Sequence, residues 1–248
     1  MIQSVHMIIH PLHRMRLYKK RRHRLVALGT LLVPLVLLFI IGMVTRSQTA
    51  GILEALGISF YRLALGYILS LIIGVGAALA LGTSKWGDTA TPILDVMQNV
   101  PSFALIPVFA IAFGYTDFMA VIFIASSAVW PILFYVLTAL RTEKTELAEA
   151  ATIFGAKGWK RVTHFLVPLS FPAIVTGSIV AISIGWEAVI GLEIIGYKNG
   201  IGIILNNASL SHDNSLLLAG ITFLLFLVFI INRLVWLPLL NKTHIYAD

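Results

Sequence analysis

Two carboxylates stand where the surrounding residues leave little water for them. Glu187 and Glu193 fall in ISIGWEAVIGLEIIG, a run otherwise made of apolar and small residues. A carboxylate at membrane depth costs several kcal/mol unless it is paired or hydrated, so it marks an ion, proton or substrate path before it marks anything else. Glu187 lies mid-run and suits pathway lining, or a buried hydrogen bond that locks helix packing. Glu193 lies near the end of the run, where a structural, water-exposed role serves equally well. Other polar groups interrupt neighbouring apolar runs: Asn99 and Ser102 in DVMQNVPSFALIP, Ser126, Ser127 and Trp130 in SSAVWP, and Ser183 and Trp186 beside Glu187. Asn99, Ser102, Ser127, Trp130, Ser183, Trp186 and Glu187 form the candidate translocation pathway. None of the serines has a histidine base within its run, and His164 lies in a connecting loop, so no nucleophile–base pair and no catalytic residue is assigned. The chain has no cysteine, and the spacing of His6, His10, His13 and His23 fits no metal motif.

A second stretch asks for a different chemistry. EAATIFGAKGWKRVTHFLVP, from Glu149 to Pro168, is charged and glycine-punctuated between two apolar runs. Thr142 can cap a helix whose first turns, EKTELAEAA, are acidic as a helix N-terminus favours. Gly155 can end that helix in the left-handed conformation, and Pro168 suits the opening of the next. Glu146 and Glu149 are three apart on one face. The expectation is two short helices at an angle, tied to the spans before and after. It is no nucleotide loop. GAKGWKR lacks both the spacing and the hydroxyl of G-x-x-x-x-G-K-[ST], and Gly74-Val-Gly76 lies inside an apolar span.

The elements that must position these residues are helices in a membrane. The 248 residues are 58% hydrophobic and 12% charged, against about 25% charged in soluble domains, and the mean hydropathy is +0.93. A spanning helix needs about 20 mostly apolar residues. The runs 25–44, 63–82, 92–113, 118–140, 171–191 and 216–237 meet or approach that length, giving six transmembrane helices in an all-α membrane protein. With the N-terminus inside, fifteen of the eighteen Lys and Arg fall on inner segments, a positive-inside bias that places both termini in the cytoplasm. The net charge of +7 therefore reads as a lipid-facing anchor in KKRRHR rather than a nucleic-acid patch. The first run is expected to remain uncleaved, because VTRSQ follows it without a small-x-small site. SQTAGILEALGISFYR reads as an amphipathic segment between the first two spans. In the second span Gly66, Ser70, Gly74, Ala78 and Gly82 recur every four residues, a groove for close helix packing whose partner is left open. Pro92, Pro101 and Pro107 make the third span a broken one.

These residues carry a resemblance. Glu149-Ala150-Ala151, three residues, Gly155, nine residues and then F-x-V-P resembles the EAA loop of ABC-importer permeases, with Phe165 and Val167 where Ile and Leu are usual. NVPSFALIPVFAIAFG, the Arg62–Gly66 pair, and GLEIIGYKNGIG are similar to segments of the nitrate/sulfonate/taurine/bicarbonate branch, with Ile201 replacing Leu. The resemblance covers residues 55–240. It implies a type I ABC importer permease fold, with residues 1–24 as a basic arm, 25–240 as the six-span domain including the 141–167 loop, and 241–248 as a tail. It implies a bacterial inner-membrane subunit that pairs with a second permease copy, two cytoplasmic ATPase subunits carrying ATP and Mg, and an extracytoplasmic substrate-binding protein, and has no cofactor of its own. Glu146, Glu149, Ala150, Ala151, Gly155, Lys157 and Pro168 would be the ATPase-coupling residues. The alternative, an ion-gradient-driven secondary transporter using Glu187, leaves the EAA spacing unexplained.

Overall fold

The computed structural model describes residues 36, 49–142, 151, 153 and 155–243. The expected first span, and Glu146, Glu149 and Ala150 of the loop, lie outside the described residues. Everything described that has regular structure is helical. Four helices are long and apolar enough to cross a membrane, and a bent pair makes a fifth.

The first, α1 (Thr49–Gly82), runs for 34 residues, about 50 Å at 1.5 Å per residue. That exceeds the ~30 Å hydrocarbon core. The expected separate amphipathic segment is therefore the opening turns of this helix. Its buried face, Ile52, Ala55, Leu56, Ser59 and Leu63, continues without a break because no proline or capping residue stops it. After a short turn come α2 (Gly87–Gln98) and α3 (Ser102–Phe113), bent by 88°. The bend falls at Pro101, whose ring supplies no N–H and whose extended ψ of 114° cannot continue α2. Asn99 and Val100 close α2 by donating to Val96 and Met97 carbonyls at 3.2 Å. Pro92 and Pro107 sit inside their helices.

Next, α4 (Asp117–Arg141) starts at Thr116, whose hydroxyl accepts from the Met119 N–H at 3.2 Å, with Asp117 in the positive first turn. More than half of its apolar window is buried, against a third or less in the other three long helices, so α4 is the centre of the bundle. It also answers the question left by the small-residue stripe. A Cβ on Gly66 would lie 2.6 Å from Ile124 Cγ2, one on Gly74 3.0 Å from Ile132 Cβ, and one on Gly82 2.9 Å from Leu140 Cδ1. Both helices step by eight residues in the same direction, so α1 and α4 are parallel and meet along one seam. Ser70 and Ala78 complete it, each fully buried. The partner of the stripe is in the same chain.

The helix that Thr142 was expected to cap begins outside the described residues. Thr142 closes α4, its N–H and its hydroxyl both donating to Thr138 O at 3.0 Å. Further on, α5 runs from Trp159 to Gly196, and Pro168 stands in the first turn of its α-helical stretch, Val167–Gly196. It is tolerated because Val162–Leu166 is wound as a π-turn, which shifts the carbonyl register before the donorless residue arrives. The same device recurs in α7 (Asn214–Thr243), where the π-turn Asn232–Trp236 precedes Leu237 and Pro238. Between them lies α6 (Ile201–Leu210). Beside the seam, Gly177 of α5 brings that helix within contact of the same Ile132 and of Pro131.

Candidate functional site: a cavity at the broken helix and a buried charge cluster

The α2–α3 break, the middle of α4 and the middle of α5 enclose a cavity of about 880 Å³, within the size range of ligand pockets. Ser102, Ser127, Trp130 and Glu187 line it, together with Gln98, Ser126 and several aromatic rings. The remaining pathway candidates lie elsewhere. Asn99 sits at the bend with its amide donating to Asp95 O at 2.6 Å, next to lining residues but not among them. Ser183 is exposed and donates to Ile179 O. Trp186 is packed in the apolar core with Phe123, Leu63 and Leu192, its indole nitrogen without an acceptor among the described residues. A helical period of 3.6 turns Trp186 about 100° away from Glu187, toward the core rather than the cavity.

Glu193 corrects the reading of its position. It is 1% exposed and belongs to a cluster that the residue spacing did not reveal. Arg62, 2% exposed, donates from Nε to Asp117 Oδ1 at 2.7 Å, from Nη1 to Glu193 Oε1 at 2.8 Å and Asn199 O at 3.0 Å, and from Nη2 to Asn199 Oδ1 at 2.6 Å. Glu193 also accepts from Ser59 Oγ at 2.8 Å and from Gly202 N–H at 2.9 Å. Ser59 in turn accepts from Ile201 N–H at 2.9 Å. A buried pair offsets its desolvation only when geometry is good and the spare lone pairs and protons are satisfied, and here they are. Gly200, at φ 117°, and Gly202 let the backbone come up against the carboxylate, since a Cβ at either position would strike it. The cluster thus joins α1, α4, α5 and α6. The available signal was an Arg at the very start of an apolar run, a position that speaks for topology and for the family resemblance but not for a buried pair.

Tyr197 lies beneath it, with the Arg62 guanidinium carbon 4.5 Å from the ring centroid, a cation–π contact. Burial pushes the Tyr197 hydroxyl up to about 12, so it stays protonated across the physiological range and donates to Thr116 O at 2.6 Å. Tyr197→Phe keeps the ring and removes that bond. A loss of about 0.5–1.5 kcal/mol is expected, read as a modest fall in Tm of the detergent-purified chain. A loss several times larger would mean that the ring has moved off Arg62.

At the Gly82 end of the bundle, Gly155 has φ 78°, and the Ala156 N–H donates to Ala151 O at 2.9 Å. This is the six-to-one bond of a Schellman motif, with Gly155 in the left-handed position. The expected glycine stop is therefore present. Gly158 turns the chain again at φ 54°. Lys157 is exposed, as are Ile153 (83%) and Trp159 (77%), while Pro168 is half-buried inside α5.

Comparison with known proteins places these features in a wider set. Residues 70–237 match the family model described as "Binding-protein-dependent transport system inner membrane component". The chain is 27% identical over 167 residues to the putative aliphatic sulfonates transport permease protein of Bacillus subtilis, covering 67% of this chain and 60% of that one. It is 26% identical over 186 residues to the nitrate import permease protein of Leptolyngbya laminosa, covering 75% and 67%. The taurine transport system permease protein of Escherichia coli is 23% identical over 184 residues, covering 74% and 67%. In fold the chain is similar to a chain of the inward-facing MetNI methionine ABC transporter, with a TM-score of 0.69 at 17% identity, covering 80% of this chain and 98% of that one.

Proposed function

Because the chain belongs to the family of binding-protein-dependent transport system inner membrane components, we propose that it is the permease subunit of an ATP-driven ABC importer, with the α2–α3–α4–α5 cavity as part of its substrate pathway. A multi-pass protein of the bacterial inner membrane, it has its termini in the cytoplasm on this reading and works as a pair of permease copies. Two ATPase subunits, which hold ATP and Mg, grip the 141–167 loops from the cytoplasm. A binding protein delivers cargo on the other side.

The observation that carries the coupling is the continuity of α5. One helix of 38 residues leaves the Gly155–Gly158 turn at Trp159 and brings Glu187 into the cavity. A push on the loop reaches the lining along one helix, interrupted only by the π-turn at Val162–Leu166 and by Pro172. Exposed Ile153 and Trp159 beside Lys157 and Lys160 give the turn the mixed apolar and basic surface that a partner protein can hold. On this reading Glu146, Glu149, Ala150 and Ala151 belong to the same gripped loop.

The test is ATP-dependent uptake by the chain co-expressed with its ATPase and binding protein. Gly155→Asp puts a side chain at a φ that disfavours it by about 1–2 kcal/mol, and Glu149→Lys reverses a charge on the gripped surface. Both variants are expected to insert normally, to lose ATPase co-purification, and to lose most uptake. Uptake that persists without any ATPase and collapses with the ion gradient would overturn the proposal in favour of a secondary transporter.

A further inference from the structure

The polar groups around the cavity share a bias in what they have left to offer. Ser126 and Ser127 both donate their hydroxyl protons back to Phe123 O, at 2.8 and 3.0 Å, which leaves lone pairs for anything inside. Gln98 donates to Asp95 Oδ1 at 2.6 Å, which leaves its amide oxygen as the freer end. Glu187 is exposed and has neither an ion pair nor a hydrogen bond among the described residues. No Lys, Arg or His is among the lining residues, and the buried guanidinium of Arg62 is committed to Glu193, Asp117 and Asn199. The donors that remain, on Ser102, Trp130 and Tyr135, are neutral. The two half-helix ends at the break face the same space, so the negative C-terminal end of α2 and the positive N-terminal end of α3 offset one another. An oxyanion would find acceptors and a carboxylate. A cation would find a counter-charge and aromatic faces, since Phe103, Trp130, Phe134 and Tyr135 all line the wall.

We propose that the cavity takes an organic cation with a flat apolar body, its ammonium or amidinium charge at Glu187 and its body against the aromatic wall. The assignment rests on the permease reading and specifies its cargo class. The 880 Å³ volume accommodates a one- or two-ring compound with water to spare, whereas a small inorganic anion would leave most of the apolar surface bare.

The experiment is equilibrium dialysis of the complete transporter in nanodiscs against two radiolabelled probes of similar shape and opposite charge, benzyltrimethylammonium and benzenesulfonate. The parent is expected to bind the cation at least about tenfold more tightly. Glu187→Gln should weaken the cation by roughly tenfold, since a unit charge at contact distance is removed, while leaving the sulfonate no weaker. Trp130→Leu should weaken the cation severalfold. Both variants are checked by size-exclusion profile, which keeps a folding defect apart from a binding one. Equal or tighter binding of benzenesulfonate, an unchanged cation affinity in Glu187→Gln, or no saturable cation binding by the folded parent each overturns the proposal. Failure of the permease reading shows elsewhere, as absence of ATPase association. A chain that captures the cation yet never holds an ATPase would sink that reading and leave the site standing.

Discussion

Arg62→Met is expected to destabilise the protein by about 3–5 kcal/mol, the range found when one partner of a buried ion pair is removed and the other stays uncompensated. The stranded group is Glu193, 1% exposed and unable to reach water. Ser59 and Gly202 would still donate to it, but two neutral donors do not replace a guanidinium at 2.8 Å. Glu193→Met should cost a similar amount, since Arg62 then keeps only Asp117, which is 61% exposed, and Asn199. The informative variant is the double one. Replacing both charges with methionine removes the desolvation cost together with the attraction, so the double variant should lose much less than the sum of the singles. Thermal unfolding of the purified chain, followed by fluorescence-detected size exclusion, provides all four corners of the cycle. Additive losses would mean that the two residues contribute through separate contacts and that the cluster is not one unit.

Gly66→Ala is the second large effect. The added methyl would lie 2.6 and 2.7 Å from Ile124 Cγ2 and Cβ and 3.2 Å from Val121 O. Ile124 is fully buried and β-branched, so it has one good rotamer in a helix and cannot swing away. The helices must part, at about 1–3 kcal/mol or more. Gly76→Ala is the control on the same helix, because nothing lies within 4 Å of its added Cβ; there helix propensity predicts a gain of up to about 1 kcal/mol. Ile124→Ala in the Gly66→Ala background should recover part of the loss by making room. If Gly66→Ala proves as harmless as Gly76→Ala in the same melting assay, the seam is looser than its contacts imply.

Features carried by local sequence were legible before the fold. The apolar runs located the long helices, the three prolines of the third span announced a break without choosing among Pro92, Pro101 and Pro107, and Gly155 located a left-handed turn, because each depends on a few neighbouring residues. The four-residue stripe announced a close contact but could not choose a partner, since Ile124, Ile132 and Leu140 look like any other apolar residues of a spanning helix. Arg62 and Glu193 are 131 residues apart, and no periodicity links them. Of the pathway candidates, the four that line the cavity were found by polarity within an apolar run. The same reasoning also chose Trp186, which packs with the core because the indole is large and mostly apolar. The π-turns were not legible. Pro168 pointed to a helix start, but nothing nearby announced the wider turn that precedes it, or the one ahead of Pro238.

The order of the cluster's members along the chain has a consequence for how the protein is made. Arg62 emerges first, Asp117 follows 55 residues later, and Glu193 arrives 131 residues after Arg62. At about 5–20 residues per second the guanidinium waits on the order of ten seconds for its main partner. During that interval Asp117 is the one carboxylate of the finished cluster that it can meet, and Asp117 is largely exposed, so the guanidinium stays at a hydrated boundary. Only a polypeptide synthesised past Gly202 can enclose the charge, and closure of the cluster is thereby tied to completion of α6 rather than to insertion of α1.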